Sequence, residues 1–217
     1  MSKKLIIGEQ PQYWQDACDF LANNDPVMND LISGYGDLKL TRINPAFYTL
    51  CRSIAGQQIS VQAADSIWLK LMNYIGGNEN IRPEKIIEID EDTFRSLGFS
   101  RTKHSYTMNI AEYFLANHSS GFEYHDYSKL EKELLAIKGV GRWTVDMFAM
   151  FHLHEPDILP LGDIGMLKAV KKLYGYENLD YKQVAPITEE LAQKWKPYST
   201  VATMFLWRSI DPVSVEY

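Results

Sequence analysis

One carboxylate and one glycine-rich turn stand out as groups that could do chemistry. Asp163 closes the loop Pro156-Asp157-Ile158-Leu159-Pro160-Leu161-Gly162 and opens an amphipathic helix. Aspartate at a helix start is usually a cap and nothing more. The same place sets an anion at the positive end of the helix dipole, from which it could face developing positive charge or orient a water. Upstream, Leu134-Leu135-Ala136-Ile137 runs into Lys138-Gly139-Val140-Gly141-Arg142, and a second helix starts at once. Glycines on either side of one residue permit a tight turn with positive φ angles and leave the amides bare. Unpaired N–H groups at a helix start then offer a phosphate site, to which Lys138 and Arg142 add charge. An ordinary helix–turn–helix corner with a C-cap glycine fits the same residues. His152-x-His154 has chelating spacing, but two ligands do not make a metal site; a solvated loop or a phosphate contact fits better. His104, His118 and His125 belong to no cluster. Cys18 and Cys51 are isolated, too few for an iron–sulfur cluster and in no zinc pattern, and read as buried free thiols.

Helices must position these groups, because strand signals are nearly absent. A first helix is predicted over Gln10–Asn23, and Asp25-Pro26 starts a second that stops at Gly34. Residues 37–41 read as a brief extended piece. Asn44 caps a helix with Pro45 in its first turn and an apolar stripe of Phe47, Leu50, Cys51 and Ile54. Ser60 caps the next, which ends at Gly76-Gly77. Two short helices follow, Pro83–Ile89 and Asp90–Leu97, and then a longer one from Ser100 to near Gly121. Ser128-x-x-Glu131 has the form of a capping box and starts the helix into the hairpin. Asp163 opens a helix reaching Leu173, and the last two run over Pro186–Lys196 and Tyr198–Ile210. The fold class is all-α, with short connections.

Composition bounds the function. The chain has 217 residues, 46% hydrophobic and 23% charged, which suits one compact unit or two close lobes. No apolar run reaches the length of a membrane span, and the N-terminus does not read as a signal peptide. A net charge of −6 argues against a chain that coats nucleic acid indiscriminately. Basic residues recur at 101–103, 138–142 and 168–172, so any nucleic-acid contact is small and directional.

The apolar-Lys-Gly-Val-Gly turn followed by an amphipathic helix resembles the helix-hairpin-helix motif of DNA-binding proteins. The Pro156–Gly165 loop, about two dozen residues on, resembles the Pro/Gly/Asp loop of the helix-hairpin-helix/Gly-Pro-Asp superfamily of DNA glycosylases. Three further stretches resemble its 3-methyladenine glycosylase II branch: Ile54-Ala55-Gly56-Gln57-Gln58-Ile59-Ser60, Leu97-Gly98-Phe99-Ser100 through Lys103, and Trp195-Lys196-Pro197-Tyr198 through Trp207-Arg208. The matches run in family order over residues 44–208.

The resemblance implies two helical lobes with an active-site cleft between them. The central lobe would span about residues 50–145, with the hairpin at 134–148; residues 1–49 and 146–217 would form the other. It implies Asp163 as the catalytic carboxylate and Gln58 as the wedge filling the gap left by a flipped base. Trp143 and Trp207 would line the base pocket, with Phe47, Tyr48 and Met147 as further lining; plain core packing is the other reading of such rings. Lys138, Gly139, Val140, Gly141 and Arg142 would hold DNA phosphate. The carbonyls of Leu135, Ile137 and Val140 would hold a structural Na⁺ or K⁺; no iron–sulfur cluster is expected. The expected activity is hydrolytic excision of alkylated purines such as 3-methyladenine and 7-methylguanine from double-stranded DNA by an intracellular monomer, in the cytoplasm or nucleoid, or the nucleus of a eukaryote. Trp143 stands where bifunctional members carry lysine, so no lyase step is expected. Ser199 replaces an arginine usual in the branch, which would weaken a local contact. Two alternatives remain: a non-catalytic helix-hairpin-helix DNA-binding module, and a glycosylase for deaminated or mismatched bases.

Overall fold

The structure, a computed structural model, describes residues 8–41, 44–118, 122–123 and 126–211. Among these, every regular element is helical. In chain order the α-helices are α1 (Trp14–Asn24), α2 (Pro26–Gly34), α3 (Ala46–Gly56), α4 (Val61–Ile75), α5 (Pro83–Ile86), α6 (Glu91–Ser96), α7 (Arg101–Asn117), α8 (Tyr127–Leu135), α9 (Arg142–Phe148), α10 (Ile164–Leu173), α11 (Tyr181–Leu191) and α12 (Ser199–Ile210). The described residues divide into two compact units, one of residues 44–148 and one of residues 8–41 and 149–211. No described helix is long and apolar enough to cross a membrane.

In the first unit α3 is the central element: residues 46–55 are all buried, and the helix packs against α4, α7 and α9. Its predicted stripe of Phe47, Leu50, Cys51 and Ile54 does face the core. Charge enters this interior only with a partner, since Arg52 pairs with Asp65 of α4. In the second unit α10 packs on α11 and α12, and α1 and α2 close against α12. The buried carboxylate of Asp25 organises that side. Its Oδ1 caps α2 by accepting from the Val27 amide at 2.9 Å. Its Oδ2 accepts from Tyr174 Oη at 2.8 Å and Trp195 Nε1 at 3.0 Å, so the buried charge is satisfied from two elements. Both cysteines are buried free thiols, and burial pushes both upward, Cys18 to about 11.

Several helix starts differ from the sequence expectation. The first helix begins at Trp14, a turn after Gln10. Pro45, extended at ψ 160°, takes the N-cap place of α3 instead of Asn44, and its carbonyl accepts from the Thr49 amide. The cap of α8 is Asp126, whose carboxylate accepts from the Ser128 and Lys129 amides at 2.8 and 3.3 Å; a charged acceptor two residues earlier outcompetes the Ser128 hydroxyl. Pro186 lies inside α11 instead of starting it. The capping box is Asp180 with Gln183, and tertiary packing tolerates the one backbone donor that proline removes. Residues 37–41 form no strand; Leu38 and Leu40 are simply buried. Gly121 and His125 lie outside the described residues.

Candidate active site

In the second unit, Asp163 caps α10 and is also held from α12. Its Oδ1 accepts from the Met166 amide at 2.7 Å and from Trp207 Nε1 at 2.8 Å. One oxygen therefore receives two donors from different helices, which fixes the rotamer of a half-buried carboxylate. The indole is itself seated: its ring stacks on Phe151 at 5.9 Å with planes 8° apart. Phe151 belongs to a turn of π-helix, Ala149–Leu153, that begins the second segment of this unit. Trp207 is thus a positioning group for Asp163 as well as a candidate pocket ring. Gly165 completes the arrangement. A Cβ there would lie 3.0 Å from Asp163 Oδ1 and 3.5 Å from Trp207 Cδ1 and Nε1. Nothing in the sequence separated Gly165 from Gly162, whose Cβ would meet nothing.

That contact gives an opposed expectation. Gly165→Ala should keep or raise the melting temperature, since alanine is the better helix residue by up to about 1 kcal/mol. Its methyl pushes on the carboxylate–indole pair, so turnover should fall on the order of tenfold, less than the roughly 10²-fold that a full 1 Å misplacement can cost. Thermal melts alongside rate measurements check both, and an unchanged rate would contradict the packing argument.

The loop before Asp163 is fastened to the start of α12. Thr200 Oγ1 donates to the Glu155 carbonyl at 2.6 Å and accepts from the Ile158 amide at 3.0 Å; the Thr200 amide donates to the Pro156 carbonyl at 3.0 Å. Asp157 accepts from both the amide and the hydroxyl of Ser199. The other carboxylate of the loop is therefore spent on holding α12. Ser199, which stands where the branch usually has arginine, is buried and bonded to that carboxylate. Helix α12 then presents Trp207 two turns on, so one helix fixes both the loop and the carboxylate that ends it.

In the first unit, the hairpin between α8 and α9 is shaped by Gly139 at φ +103°. A Cβ there would fall 2.1 Å from Tyr106 Cγ, so the turn needs glycine for conformation and for close approach. Gly141, expected to share the positive φ, does not; it is exposed and its Cβ would meet nothing. The Val140 amide is committed to the Ile137 carbonyl at 3.0 Å and is not among the bare donors expected. Two hairpin carbonyls are held by side-chain amides. Asn109 Nδ2 donates to Lys138 O at 2.8 Å, and Gln57 Nε2 donates to Gly139 O at 3.1 Å and to Thr144 Oγ1 at 2.9 Å.

Lys138 is exposed, as expected of a phosphate contact. Arg142 differs: its guanidinium pairs with Glu131 and, through Nε at 2.8 Å, with buried Asp146. The Arg142 share of the charge expected at the hairpin is thus paired off, because its partners lie one turn along α9 and on the adjacent α8. Burial pushes the Asp146 carboxyl up to about 6 against the pull of Arg142. With the folded value above the ordinary carboxylate range, its ionisation costs stability. The contribution is complete in acid and is lost as pH rises through about 6. Protonation also loosens Arg142. Affinity for the duplex DNA that the resemblance implies should therefore rise as pH falls through about 6, and Asp146→Asn should flatten that rise. Parallel binding titrations across pH would show it; identical slopes would refute it.

The wedge candidate Gln58 is exposed and sits at φ +59°, left-handed for a residue with a Cβ. Such a conformation costs of order 1–3 kcal/mol and persists only where neighbours impose it. Lys103 is part of that neighbourhood. Its Nζ donates to the Ala55 carbonyl at 2.8 Å, in the last turn of α3. Burial, and then the charge of Arg52, hold its amine below the ordinary lysine value.

The aromatic expectations divide. Trp143 is half-buried in the first turn of α9. Phe47, Tyr48 and Met147 are core residues of the first unit. Phe47 packs edge-on to Phe114 at 5.3 Å, Tyr48 accepts from Trp68 Nε1 at 2.7 Å, and Met147 is 1% exposed. Helical spacing marks an apolar face without saying what it faces, so these three were indistinguishable from pocket residues in sequence. His152 is likewise buried in the π-turn, which removes the solvated-loop reading for it. Among the described residues, no group of three or more His, Cys, Asp or Glu is placed to hold a metal.

YfjP of Bacillus subtilis is 31% identical over 171 residues, covering 75% of this chain and 58% of that protein. The alkylbase DNA glycosidase-like protein mag2 of Schizosaccharomyces pombe is 30% identical over 194 residues, covering 87% of this chain and 90% of that one. The same fold is found in the S. pombe 3-methyladenine DNA glycosylase Mag1, solved in complex with abasic DNA. Its TM-score is 0.76 at 24% identity, covering 89% of this chain and 96% of that one. With residues 51–197 matching it, the chain belongs to the HhH-GPD superfamily of base excision DNA repair proteins.

Proposed function

We propose that this protein is a monofunctional DNA glycosylase that excises alkylated purines of the 3-methyladenine and 7-methylguanine type from double-stranded DNA. The observation that carries the reading is Asp163, whose one oxygen is locked by its own helix and by the Trp207 indole. A plain cap needs only the first of those bonds. The name of mag2, an alkylbase DNA glycosidase-like protein, points to alkylated bases.

The chemistry follows. A base in a duplex must be taken out of the stack before its glycosidic bond can be cut, and Gln58 would fill the gap. N-alkylated purines are cationic, and the electron-rich faces of Trp143 and Trp207 would attract them by roughly 0.5–2 kcal/mol. Their glycosidic bond is already weak, so no strong general acid is required. As it breaks, the sugar becomes oxocarbenium-like, and the carboxylate of Asp163 stabilises that charge while water attacks the anomeric carbon. Trp143 occupies the place of the bifunctional members' lysine, so the bond is hydrolysed without a Schiff base.

Lys138 and the hairpin would hold the strand by its phosphates, without reading sequence. The carbonyls of Leu135, Ile137 and Val140 are neutral oxygens, a donor set suited to Na⁺ or K⁺ rather than to a divalent ion that seeks carboxylates. Such a cation would supply positive charge toward a phosphate. The work of this protein lies wherever the cell keeps its duplex genome. Incubating the protein with methylated duplex DNA and measuring free 3-methyladenine tests the reading; no release above a protein-free control would overturn it.

A further inference from the structure

We infer that Gln57 is a positioning residue that ties the strand-holding hairpin to the Gln58 wedge, so that seating the phosphates sets where the wedge enters the stack. The inference rests on the proposed function for the role of Gln58. Gln57 ends α3 and precedes the left-handed Gln58. Its side-chain amide nitrogen donates to Gly139 O at 3.1 Å and to Thr144 Oγ1 at 2.9 Å, reaching across 82 and 87 residues of sequence. Both bonds go to the hairpin and the helix it opens, and none to α3 itself. Gln58 is exposed, so packing of its own side chain does not set its place. The tie through its neighbour does.

Helix α7 braces the same pair of elements. Lys103, Tyr106 and Asn109 recur every three residues and so share a face. Lys103 holds the Ala55 carbonyl just before the wedge turn, Tyr106 lies under Gly139, and Asn109 holds the Lys138 carbonyl. One rigid helix thus spans the base of the wedge and the base of the hairpin, and Gln57 joins the two directly. Each partner is already a backbone carbonyl or a hydroxyl of the hairpin, so the hairpin cannot shift without drawing on Gln57.

A wedge of fixed depth matters most where the base resists leaving. Unpairing and unstacking cost a few kcal/mol for a well-paired base and less where pairing is already lost. Gln57→Ala should therefore bind duplex DNA within about threefold of wild type, since phosphate contacts carry most of the affinity. It should excise 7-methylguanine opposite cytosine on the order of tenfold more slowly, and 7-methylguanine opposite an abasic site nearly as fast as wild type. Stopped-flow fluorescence of 2-aminopurine beside a non-cleavable abasic analogue reads wedge entry without any excision. Its signal should fall in Gln57→Ala and in Asn109→Ala, which cuts the second tie and carries the test if the first variant does not fold. Equal loss on both 7-methylguanine substrates, no loss on either, or an unchanged 2-aminopurine signal would overturn the coupling. Failure of the wild-type protein to release methylpurine would instead count against the activity, which the 2-aminopurine signal does not depend on.

Discussion

Replacing Asp163 by asparagine is expected to cut release of methylated base by about 10²–10³-fold, the scale for losing one preorganised electrostatic contact to a transition state. The substitution is clean for a structural reason. Asparagine keeps an Oδ1 acceptor for the Met166 amide and for Trp207 Nε1, so the cap of α10 and the seat of the indole survive. Only the negative charge is lost. Melting temperature should stay within a few degrees, and affinity for abasic-site DNA should change little, because phosphate contacts are untouched. Single-turnover release from methylated duplex, with a binding titration beside it, separates these effects. Wild-type release by Asp163→Asn would end the catalytic assignment. Loss of binding in step with release would move Asp163 from chemistry to structure.

Gly139→Ala is expected to act on binding instead. At φ +103° an added methyl is strained whatever the space, by roughly 1–2 kcal/mol. There is no space either, since it would fall 2.1 Å from Cγ and 2.3 Å from Cδ1 of Tyr106. Tyr106 must leave, and the hairpin moves with it. Duplex affinity should fall about tenfold or more, since every 1.4 kcal/mol is a factor of ten, while excision once bound should fall less. Adding Tyr106→Ala removes the clash and leaves the φ strain, so the double variant should regain part of the affinity; touching residues are where additivity fails. Gly141→Ala, with open space and an ordinary φ, is the built-in contrast and should bind like wild type. Equal losses at both glycines would mean that bare amides, not the turn over Tyr106, are what the hairpin offers.

The sequence by itself determined the local grammar of this protein. Caps placed the starts of α2, α4, α7 and α10, because Asp25, Ser60, Ser100 and Asp163 each satisfy amides within three residues of themselves. The same local signals misled where two acceptors competed, as at Ser128 against Asp126, and where proline suggested a start that the capping box of Asp180 and Gln183 had already made. The hairpin's glycines and the helix-opening Asp163 stood out as residues, while the resemblance to the family's motifs is what gave Asp163 its role and singled out Gln58.

Only the tertiary structure decided what those residues face. It spent the charge of Arg142 on Glu131 and Asp146 and fixed Asp157 to Ser199. It turned Phe47, Tyr48 and Met147 into core, and set Gly165 against the carboxylate and its indole. It also showed Gln57 reaching the hairpin. Each of these joins positions in different helices, and their partners are chosen by which faces pack together. A helical period of 3.6 residues says that a face exists; what lies opposite is set by the packing of the other helices.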